Sequence, residues 1–271
     1  MRKIRVMRES ERRTALVEHL RADGRASVSQ LAATLDVTPS TIRRDLQRLA
    51  REGRLVRTYG GAAISDGGSG LAGSDPDRAA KRAIARAAAG LVLDGSTIAI
   101  GSGTTALAFA REIADRRLTV ITNALDVANV LLDRPGIELI VLGGVVRPRM
   151  HSMLGHLAEL AATELRADTL FMGIGAISVD QGLMNDSVPE ILIDRALRRM
   201  ARSVVVLADA TKFEQAAPGF VFGLDEVRTL VTDDGARPET LAAVRRRGVD
   251  VVVARVDVVA ALDAASEVAV R

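Results

Sequence analysis

The chain has 271 residues, of which 48% are hydrophobic and 26% charged, and this composition is typical of a folded protein of about two domains. It contains no cysteine, which excludes a disulfide framework, a thiolate metal site and a cysteine nucleophile. Five Phe, one Tyr and no Trp are too few aromatic rings for a protein that stacks single-stranded bases. The first residues lack the apolar core of a signal peptide, and no apolar run approaches the roughly 18 residues of a membrane span. We therefore expect a cytoplasmic protein with no membrane contact.

The net charge of +3 is unevenly distributed along the chain. Residues 1–60 hold 14 Lys and Arg against 7 Asp and Glu, a net of +7, and the rest holds 23 against 27, a net of −4. A basic N-terminal part on a mildly acidic body is typical of a protein whose basic part binds a polyanion. A basic surface that is only hydrated would give the same counts. Charge alone leaves both interpretations open.

The basic part, residues 1–63, is predicted to form a small helical domain. Apolar residues at helical spacing predict a first helix over Glu9–Leu20. Ser27 suits the N-cap of a second helix, because Gln30 stands three residues later as a capping-box partner. In a helix-turn-helix, one helix and a tight turn lead into a second helix, and this second helix reads the bases.

The third predicted helix carries most of the residues that we expect to contact DNA. Thr38 is its predicted N-cap and Pro39 its first residue, and apolar residues every three or four positions face the core. Hydroxyl groups and a helix N-terminus suit phosphates, whereas Arg and Gln can bond to guanine and adenine edges. The arginines are either base readers or phosphate clamps, and both roles stay open. The exposed face presents Ser40, Thr41, Arg43, Arg44 and Gln47.

A β-hairpin wing is predicted next, over residues 53–61, where small apolar and basic residues alternate between glycines. We expect Arg54 and Arg57 of this wing to touch the adjacent DNA backbone, and they join Ser27 and Thr38 among the candidate DNA-binding residues. The alternative is a small helical domain used for protein contacts, with its arginines hydrated at the surface.

The rest of the chain is predicted to consist of a linker and an α/β domain. Residues 64–77 are rich in Gly, Ser and Asp and are predicted to be a flexible linker. In residues 78–271, runs of Val, Ile and Leu alternate with helical stretches, which predicts a mostly parallel sheet covered by helices. The predicted strands are 97–100, 118–122, 139–142, 169–173, 204–208, 230–232 and 249–253. The predicted helices are 105–115, 125–133, 157–166, 189–202 and 238–247.

A glycine- and hydroxyl-rich loop follows the first predicted strand of this domain and leads into a helix. Its candidate binding residues are Ser102, Gly103, Thr104 and Thr105. Backbone N–H groups at a helix N-terminus, together with hydroxyls, can hold an anion such as phosphate. The loop is neither a P-loop nor a complete dinucleotide fingerprint. A loop of this kind is often only a turn, and that alternative stays open.

Further polar residues follow other predicted strands, among them Asn123, Gly144 and Lys212. In open parallel sheets, ligands collect at the carboxyl ends of the strands, so these residues are expected to share one crevice with the loop. Lys212 suits a phosphate or a polar oxygen, and a hydrated loop lysine stays open as the alternative. His151 and His156 are five residues apart, which does not fit a zinc pair on one helix face. We expect no metal and no cofactor.

Motifs in both parts resemble the DeoR family of bacterial transcriptional regulators. Residues 41–46 (Thr-Ile-Arg-Arg-Asp-Leu) and 57–62 (Arg-Thr-Tyr-Gly-Gly-Ala) resemble the family's signature, with Tyr59 where the family has His. The resemblance implies a winged helix-turn-helix that binds operator DNA, usually as a repressor. The resemblance extends through the body, in residues 103–105, 119–123, 142–144, 208–213 and 231–233.

For the body, the resemblance implies an effector domain similar to ribose-phosphate isomerases that senses a phosphorylated sugar or related metabolite. It implies that Ser102 to Thr105 hold the phosphate, that Asn123 and Gly144 line the pocket and that Lys212 contacts the ligand. Three positions depart from the family's pattern. Relatives often have Asp in place of Gly101, an Asp-Gly pair in place of Gly175-Ala176, and Lys in place of Asp194.

The leading hypothesis is a transcription regulator, not an enzyme. It is expected to repress a carbohydrate-metabolism operon as a homodimer or homotetramer, with double-stranded operator DNA and a phosphorylated sugar as its partners. One alternative is a sugar-phosphate isomerase that carries a nucleic-acid-binding head, which the missing carboxylates at Gly101 and Gly175 disfavour. Another is a regulator whose effector pocket is vestigial.

Overall fold

The computed structural model describes residues 9–23, 25–35, 37–51, 55–58, 61–64, 76–148 and 150–256. The chain divides into two compact units, residues 1–75 and 76–271. We call them the head and the body. Ile64 ends the last strand of the head and Pro76 begins the first helix of the body, so secondary structure enters the predicted 64–77 linker at both ends. Residues 65–75 lie outside the described ranges.

The described part of the head contains three helices and three short strands. The three predicted helices are confirmed. A hairpin is present, but its second strand, Gly61–Ile64, begins where the predicted range 53–61 ends, and the strand between the first two helices was not predicted. The strands form an antiparallel sheet in the order β1-β3-β2. The elements are α1 (Glu9–Asp23), β1 (Arg25–Ser27), α2 (Val28–Thr34), α3 (Pro39–Arg51), β2 (Leu55–Thr58) and β3 (Gly61–Ile64).

One apolar cluster holds the three helices of the head together. Each helix contributes leucines that are almost completely buried, which is the arrangement that the helical spacing of apolar residues predicts. In α3, the buried residues recur at intervals of four and three, so the helix turns one face inward and leaves the other to solvent. The fully buried members are Leu16, Leu20, Leu31, Ile42, Leu46 and Leu49.

The described part of the body is built on a parallel sheet of seven strands. The strand order is β15-β14-β12-β9-β4-β5-β6, and every neighbouring pair is parallel. All seven strands were predicted, with bounds that differ by up to three residues. They are β4 (Thr97–Ile100), β5 (Leu118–Thr122), β6 (Ile137–Val141), β9 (Ala167–Met172), β12 (Ala201–Leu207), β14 (Thr229–Asp233) and β15 (Asp250–Ala254).

Helices cover both faces of this sheet, as predicted. Along β4, Ile98 and Ile100 join one buried cluster and Ala99 joins another, because successive side chains point to opposite faces. The first cluster includes residues of α4 (Pro76–Ala89), α5 (Thr104–Glu112) and α6 (Leu125–Leu131). The second includes residues of α7 (His156–Glu164), α8 (Val188–Met200) and α9 (Pro238–Arg246). The helix α4 was not predicted.

Short antiparallel strands are inserted after the carboxyl ends of the main strands, and none of them was predicted. A two-stranded hairpin pairs β7 with β8, and a small sheet has the order β10-β11-β13. Within the described ranges, no helix combines the length and apolar character that crossing a bilayer requires. The inserted strands are β7 (Val145–Arg147), β8 (Ser152–Leu154), β10 (Ala176–Ser178), β11 (Gly182–Asn185) and β13 (Gly219–Phe222).

Candidate functional site

The helix α3 begins with a cluster of hydroxyl groups. The Oγ1 atom of Thr38 accepts a hydrogen bond from the backbone N–H of Thr41 at 3.3 Å, so the predicted N-cap is present. The same oxygen lies 2.8 Å from the hydroxyl of Ser40 and 2.9 Å from that of Thr41. Pro39 occupies the first helical position, as predicted. Hydroxyls held at a positive helix end are suited to a DNA phosphate.

The outer face of α3 presents guanidinium and amide groups to solvent. Arg43, Arg44 and Gln47 are exposed, while the opposite face is buried in the head's core. Within the described residues, neither Arg43 nor Arg44 has an ion pair or hydrogen bond. Both guanidinium groups are therefore available to an external acceptor, and Arg can bond in a bidentate way to guanine or phosphate.

A buried ion pair fixes α3 against α1. The Nε atom of Arg12 lies 2.6 Å from Oδ2 of Asp45, and its Nη2 lies 3.3 Å from Oδ1. Asp45 is 4% exposed, so the carboxylate points away from the exposed face of α3. Asp45 belongs to the predicted DNA-reading helix, but the sequence did not assign it a role. Its partner lies 33 residues away, beyond the reach of local patterns.

The remaining predicted DNA-binding residues stand at the edges of the head's elements. Ser27 ends β1 and immediately precedes α2, the position expected of an N-cap. Arg57 lies in β2 opposite Ala62 of β3. Arg54 lies outside the described residues.

In the body, the predicted anion loop joins β4 to α5. Ser102 and Gly103 are half-buried, Thr104 is exposed and Thr105 is buried. Gly103 stands at the N-cap with a φ of 114°, a conformation that favours glycine, and no side chain caps this helix. The first N–H groups of a helix have no partner within the helix. The loop therefore offers backbone donors and hydroxyls at the carboxyl end of β4.

Two neighbouring residues at the end of β5 are buried and polar. The hydroxyl of Thr122 donates to the carbonyl of Ile100 at 2.7 Å and accepts from the N–H of Ala124 at 3.1 Å. The side-chain amide of Asn123 donates to the carbonyl of Met153 at 3.3 Å. Its Oδ1 atom is buried and has no hydrogen-bond partner among the described residues. A ligand hydroxyl could satisfy this acceptor.

Gly144 lies where the chain leaves β6 and enters the β7–β8 hairpin. Its φ is 107°, and a Cβ atom there would lie 2.6 Å from the carbonyl oxygen of Leu154 and 3.3 Å from Cβ of Ala158. Only glycine fits without a shift of the backbone. The residue thus keeps the hairpin tight against α7, a structural reason for glycine at this predicted pocket position.

Lys212 and the other predicted pocket residues lie on opposite sides of the loop in the strand order. Lys212 lies in a short 3₁₀ helix after β12, is half-buried, and its Nζ atom donates to Oε1 of Gln215 at 3.3 Å. In the sheet order, β9 separates β12 from β4, which corresponds to about 10 Å at the usual strand spacing. Asn123 and Gly144 follow β5 and β6 on the other side of β4, so by strand order Gly144 and Lys212 are equally far from the loop.

A polar network that the sequence analysis missed lies beside Asn123. Ser152 donates its hydroxyl to Oε1 of Glu190 at 2.8 Å, and Arg147 donates to the same oxygen at 3.1 Å. Ser152 and Glu190 are buried, and Ser152 precedes the Met153 that Asn123 contacts. An acidic residue in the first turn of a helix, such as Glu190 in α8, is typical of a hydrated side chain that stabilises the helix N-terminus. Nothing in the local sequence shows that this glutamate is buried, because its serine partner lies 38 residues away in the chain.

Asp194, one turn after Glu190 in α8, is a buried carboxyl group. Burial raises the pKa of Asp194 to about 7, a hydrogen bond from Asn185 opposes this rise, and the nearby Glu190 carboxylate adds to it. The amide of Asn185 lies 3.2 Å from Oδ2 of Asp194. Where the resemblance implies a lysine, this chain therefore has a carboxyl group that is about half protonated at pH 7.

The two glycine departures occupy tightly packed positions. A Cβ atom at Gly101 would lie 3.3 Å from Cβ of Met172, and one at Gly175 would lie 3.2 Å from Oδ1 of Asn185. A carboxylate at either position would need its neighbour to move by a few tenths of an ångström. His151, in the nearby turn, bonds through Nδ1 to Oδ1 of Asp126 at 2.9 Å. In the described part of the chain, no three His, Cys, Asp or Glu side chains group as metal ligands would.

Together, a capped helix with exposed arginines in a winged helix-turn-helix head and a parallel α/β body with a polar edge define a DNA-binding transcription regulator with a sensor domain. Residues 12–67 match the DeoR-like helix-turn-helix domain, and residues 77–234 match the DeoR C terminal sensor domain. The chain belongs to the DeoR family.

Curated relatives match nearly their full length. The chain is 34% identical over 233 residues to the transcriptional repressor AccR of Agrobacterium fabrum, covering 84% of this chain and 90% of that protein. It is 31% identical over 233 residues to the glycerol-3-phosphate regulon repressor of Escherichia coli, covering 84% of this chain and 92% of that protein.

Solved structures match the chain more distantly. Ribose 5-phosphate isomerase A from Methanocaldococcus jannaschii is 20% identical, with a TM-score of 0.38 and coverage of 51% of this chain and 55% of the isomerase. The enzyme from Neisseria gonorrhoeae is 14% identical, with a TM-score of 0.39 and coverage of 52% and 55%. Likenesses at this level assign neither an activity nor a ligand.

Proposed function

We propose that this regulator represses a carbohydrate-metabolism operon and that a phosphorylated sugar or related metabolite, bound by the body, modulates its affinity for operator DNA. The observation that carries the proposal is the exposure of Arg43 and Arg44, which have no ion pair among the described residues, on the capped helix α3 of a DeoR-type head. The repressor names of the relatives support the sign of regulation. Such a protein acts in the cytoplasm, where operator DNA lies.

The geometry of α3 supports entry into the major groove. Its buried face is fixed by the core and by the Arg12–Asp45 ion pair, so the side chains of Arg43, Arg44 and Gln47 project from a helix of defined orientation within the head. The hydroxyl cluster at the helix start suits the flanking phosphate. Base recognition needs this kind of rigid support, because a bidentate contact to guanine tolerates little misplacement.

The carboxyl edge of β4, β5 and β6 supports effector binding. The β4–α5 loop supplies backbone donors for an anion, and the buried Oδ1 of Asn123 is an acceptor without a partner among the described residues. A phosphorylated sugar has an anionic phosphate that can accept from the backbone donors and hydroxyl groups that can donate to the Asn123 oxygen. Lys212, two strands from the loop, would contact the part of the ligand farthest from the phosphate.

The assembly is proposed to be a homodimer or a homotetramer, because one helix-turn-helix reads one half-site. Two heads would then bind half-sites whose centres are separated by about one turn of DNA, or a multiple of it. We also propose that the body has no catalytic activity. Gly101 and Gly175 supply no carboxylate at the sheet edge.

Footprinting of the full chain on DNA upstream of its own gene tests the proposal. We expect protection of two half-sites, and a shift in the protein concentration needed for protection when ribose 5-phosphate or glycerol 3-phosphate is added from a panel of sugar phosphates. Protection that no panel member alters would support the vestigial pocket. The absence of sequence-specific protection at any concentration would overturn the regulator proposal. Turnover of ribose 5-phosphate by the full chain would overturn the non-catalytic assignment.

A further inference from the structure

Two carboxyl groups of α8 are buried next to each other in the body. Glu190 is 4% exposed and Asp194 is 7% exposed. They are four residues apart, a spacing that makes side chains neighbours on a helix, and the Glu190 carboxylate contributes to the raised pKa of Asp194. A buried carboxylate is costly unless a cation or several hydrogen-bond donors compensate it. The partners of each oxygen therefore show whether the pair is compensated.

Among the described residues, only one of the two carboxyl groups has a cationic partner. Glu190 accepts from Arg147 at 3.1 Å and from Ser152 at 2.8 Å, both on Oε1. Asp194 accepts from the amide of Asn185 on Oδ2. The other two oxygens, Oε2 of Glu190 and Oδ1 of Asp194, have no hydrogen-bond partner in the described part of the chain. When both groups are ionised, the pair lacks one positive charge and at least two donors.

The two arginines that follow Asp194 most closely in α8 do not supply this charge. Arg195 donates to two backbone carbonyls of β13, at 2.6 and 3.0 Å. Arg198 lies one turn after Asp194, and its Nε atom is 3.2 Å from Oε2 of Glu226. Neither guanidinium forms an ion pair with Asp194.

A first run of contacts connects Asp194 to the β4–α5 loop. A Cβ atom at Gly173, just after β9, would lie 3.6 Å from the carbonyl oxygen of Ser102. A Cβ atom at Gly175 would lie 3.2 Å from Oδ1 of Asn185, whose amide nitrogen is 3.2 Å from Asp194. Glycine at both positions keeps the segment between the loop and Asp194 free of side chains.

A second run of contacts connects Glu190 to Asn123. Ser152 donates to Glu190, and the next residue, Met153, accepts from the amide of Asn123 at 3.3 Å. Oδ1 of Asn123 is buried and has no partner among the described residues. Three acceptor oxygens without partners, on Asn123, Glu190 and Asp194, thus belong to one connected set of residues that includes the loop.

An ammonium group has the chemistry that these three oxygens lack. It carries one positive charge and three N–H donors, and it has no acceptor. A sugar hydroxyl supplies one donor and no charge. A second anionic group would be repelled by the carboxylates. The acceptors therefore select for an amine over a hydroxyl or an acid.

We propose that the effector is an amino-sugar phosphate, whose phosphate binds at the β4–α5 loop and whose ammonium group binds to Glu190, Asp194 and Oδ1 of Asn123. This site rests on the proposed function, because it specifies which class of sugar phosphate the body senses. Asp194 is then the residue that distinguishes an amine from a hydroxyl, since its charge has no partner within the described protein.

Calorimetric titration of the full chain at pH 7 tests the proposal with glucosamine 6-phosphate and glucose 6-phosphate, which differ only in the amino group. We expect the amino sugar to bind about tenfold more tightly or better, because a hydrogen bond between charged groups is stronger than one from a hydroxyl. Asp194→Asn should reduce this ratio of affinities about tenfold. The control Asp133→Asn, an exposed aspartate after α6, should leave the ratio unchanged. Circular dichroism checks that both variants fold.

Two further ligands separate this proposal from the proposed function. Glucosamine without phosphate should bind much more weakly than its 6-phosphate, and N-acetylglucosamine 6-phosphate, which has no cation, should show no preference over glucose 6-phosphate. Equal affinity of the wild type for glucosamine 6-phosphate and glucose 6-phosphate would overturn the amine site and leave a sugar-phosphate effector standing. A ratio that Asp194→Asn does not change would also overturn the site. Glucosamine that binds as tightly as its phosphate would contradict the phosphate part alone, and silence of all four ligands would overturn the amine site and count against the effector proposal.

Discussion

Arg12 and Asp45 join the first and third helices of the head through two hydrogen bonds, of 2.6 and 3.3 Å, in a largely buried setting. Asp45 is buried, on the side of α3 opposite the exposed residues that are proposed to meet DNA. The contribution of the pair is orientation, because it ties the helix that carries Arg43 and Arg44 to a second helix. A buried pair of this kind is costly to break on one side only, since the remaining charge stays buried without a partner.

We expect Arg12→Met to destabilise the head by about 3 kcal/mol, because Asp45 would keep a buried charge. The double variant Arg12→Met/Asp45→Leu should recover most of that loss. Urea unfolding followed by the fluorescence of Tyr59, the chain's one tyrosine and a residue of the head, measures the change. Equal losses for the single and double variants would contradict a buried-charge cost and indicate lost packing instead.

Arg43 and Arg44 are expected to include at least one base reader. Replacing that residue with Ala should weaken binding to the operator by about 1–3 kcal/mol and binding to random duplex DNA much less. Lys in the same place should restore little, because it lacks the two-pronged geometry. Titrations against both DNA types make the measurement, with the exposed Arg86→Ala in α4 as control. Equal losses on operator and random DNA for both arginines, rescued by Lys, would show that they only clamp phosphates.

Thr122 is expected to be a structural support of the candidate effector edge. Thr122→Val keeps the side chain's shape but removes the hydroxyl that bonds to Ile100 and Ala124, so we expect a loss of about 1–3 kcal/mol in the free energy of unfolding of the body. The matched control is Thr119→Val in the same strand, whose hydroxyl donates to Glu138 at an exposed site. Denaturant unfolding followed by circular dichroism measures both. A control loss as large as that of Thr122→Val would refute the role of burial.

Asp194 is expected to make the stability of the body depend on pH. Below the pKa of an unfolded aspartate, about 4, both states bind the proton and the group has no effect. Between that value and about 7, the folded state keeps a proton that the unfolded state has lost, so stability falls as pH rises. Above about pH 7, the loss in the free energy of unfolding is complete and amounts to at most about 4 kcal/mol.

The test compares the unfolding free energy of the wild type with that of Asp194→Asn from pH 4 to pH 8. We expect the variant to be increasingly more stable than the wild type as pH rises, and the difference to vanish near pH 4. Asp133→Asn, at an exposed position after α6, serves as control and should show no such trend. Parallel wild-type and Asp194→Asn curves across the range would contradict a raised pKa.

The sequence predicted the strands of the large sheet well, because each is a short run of apolar residues bounded by turns. The helix α4 was missed although Ala80, Ile84 and Ala88 recur at a spacing of four after Pro76. That signal was present, but the small alanines made it weak. The inserted strands β7, β8, β10, β11 and β13 contain three or four residues each, too few to show a period.

The features of the candidate sites also divide into those that the local sequence predicts and those that it does not. Local pattern was sufficient for the N-cap at Thr38 and for the exposed face of α3, since both depend on residues within one or two helical turns. The partner of Asp45, the burial of Glu190 and the shifted pKa of Asp194 depend on groups that the fold brings together.

The sequence by itself therefore determined the three helices of the head, the exposed face of α3 and the seven strands of the body's large sheet. Only the tertiary structure decided which polar side chains are buried, which acids share a site and which apolar side chains remain uncovered. The physical reason is that periodicity reflects neighbours within a few residues. Burial, and the cost of a charge within it, depends on segments that meet after separations of 30 residues or more, such as the 33 between Arg12 and Asp45.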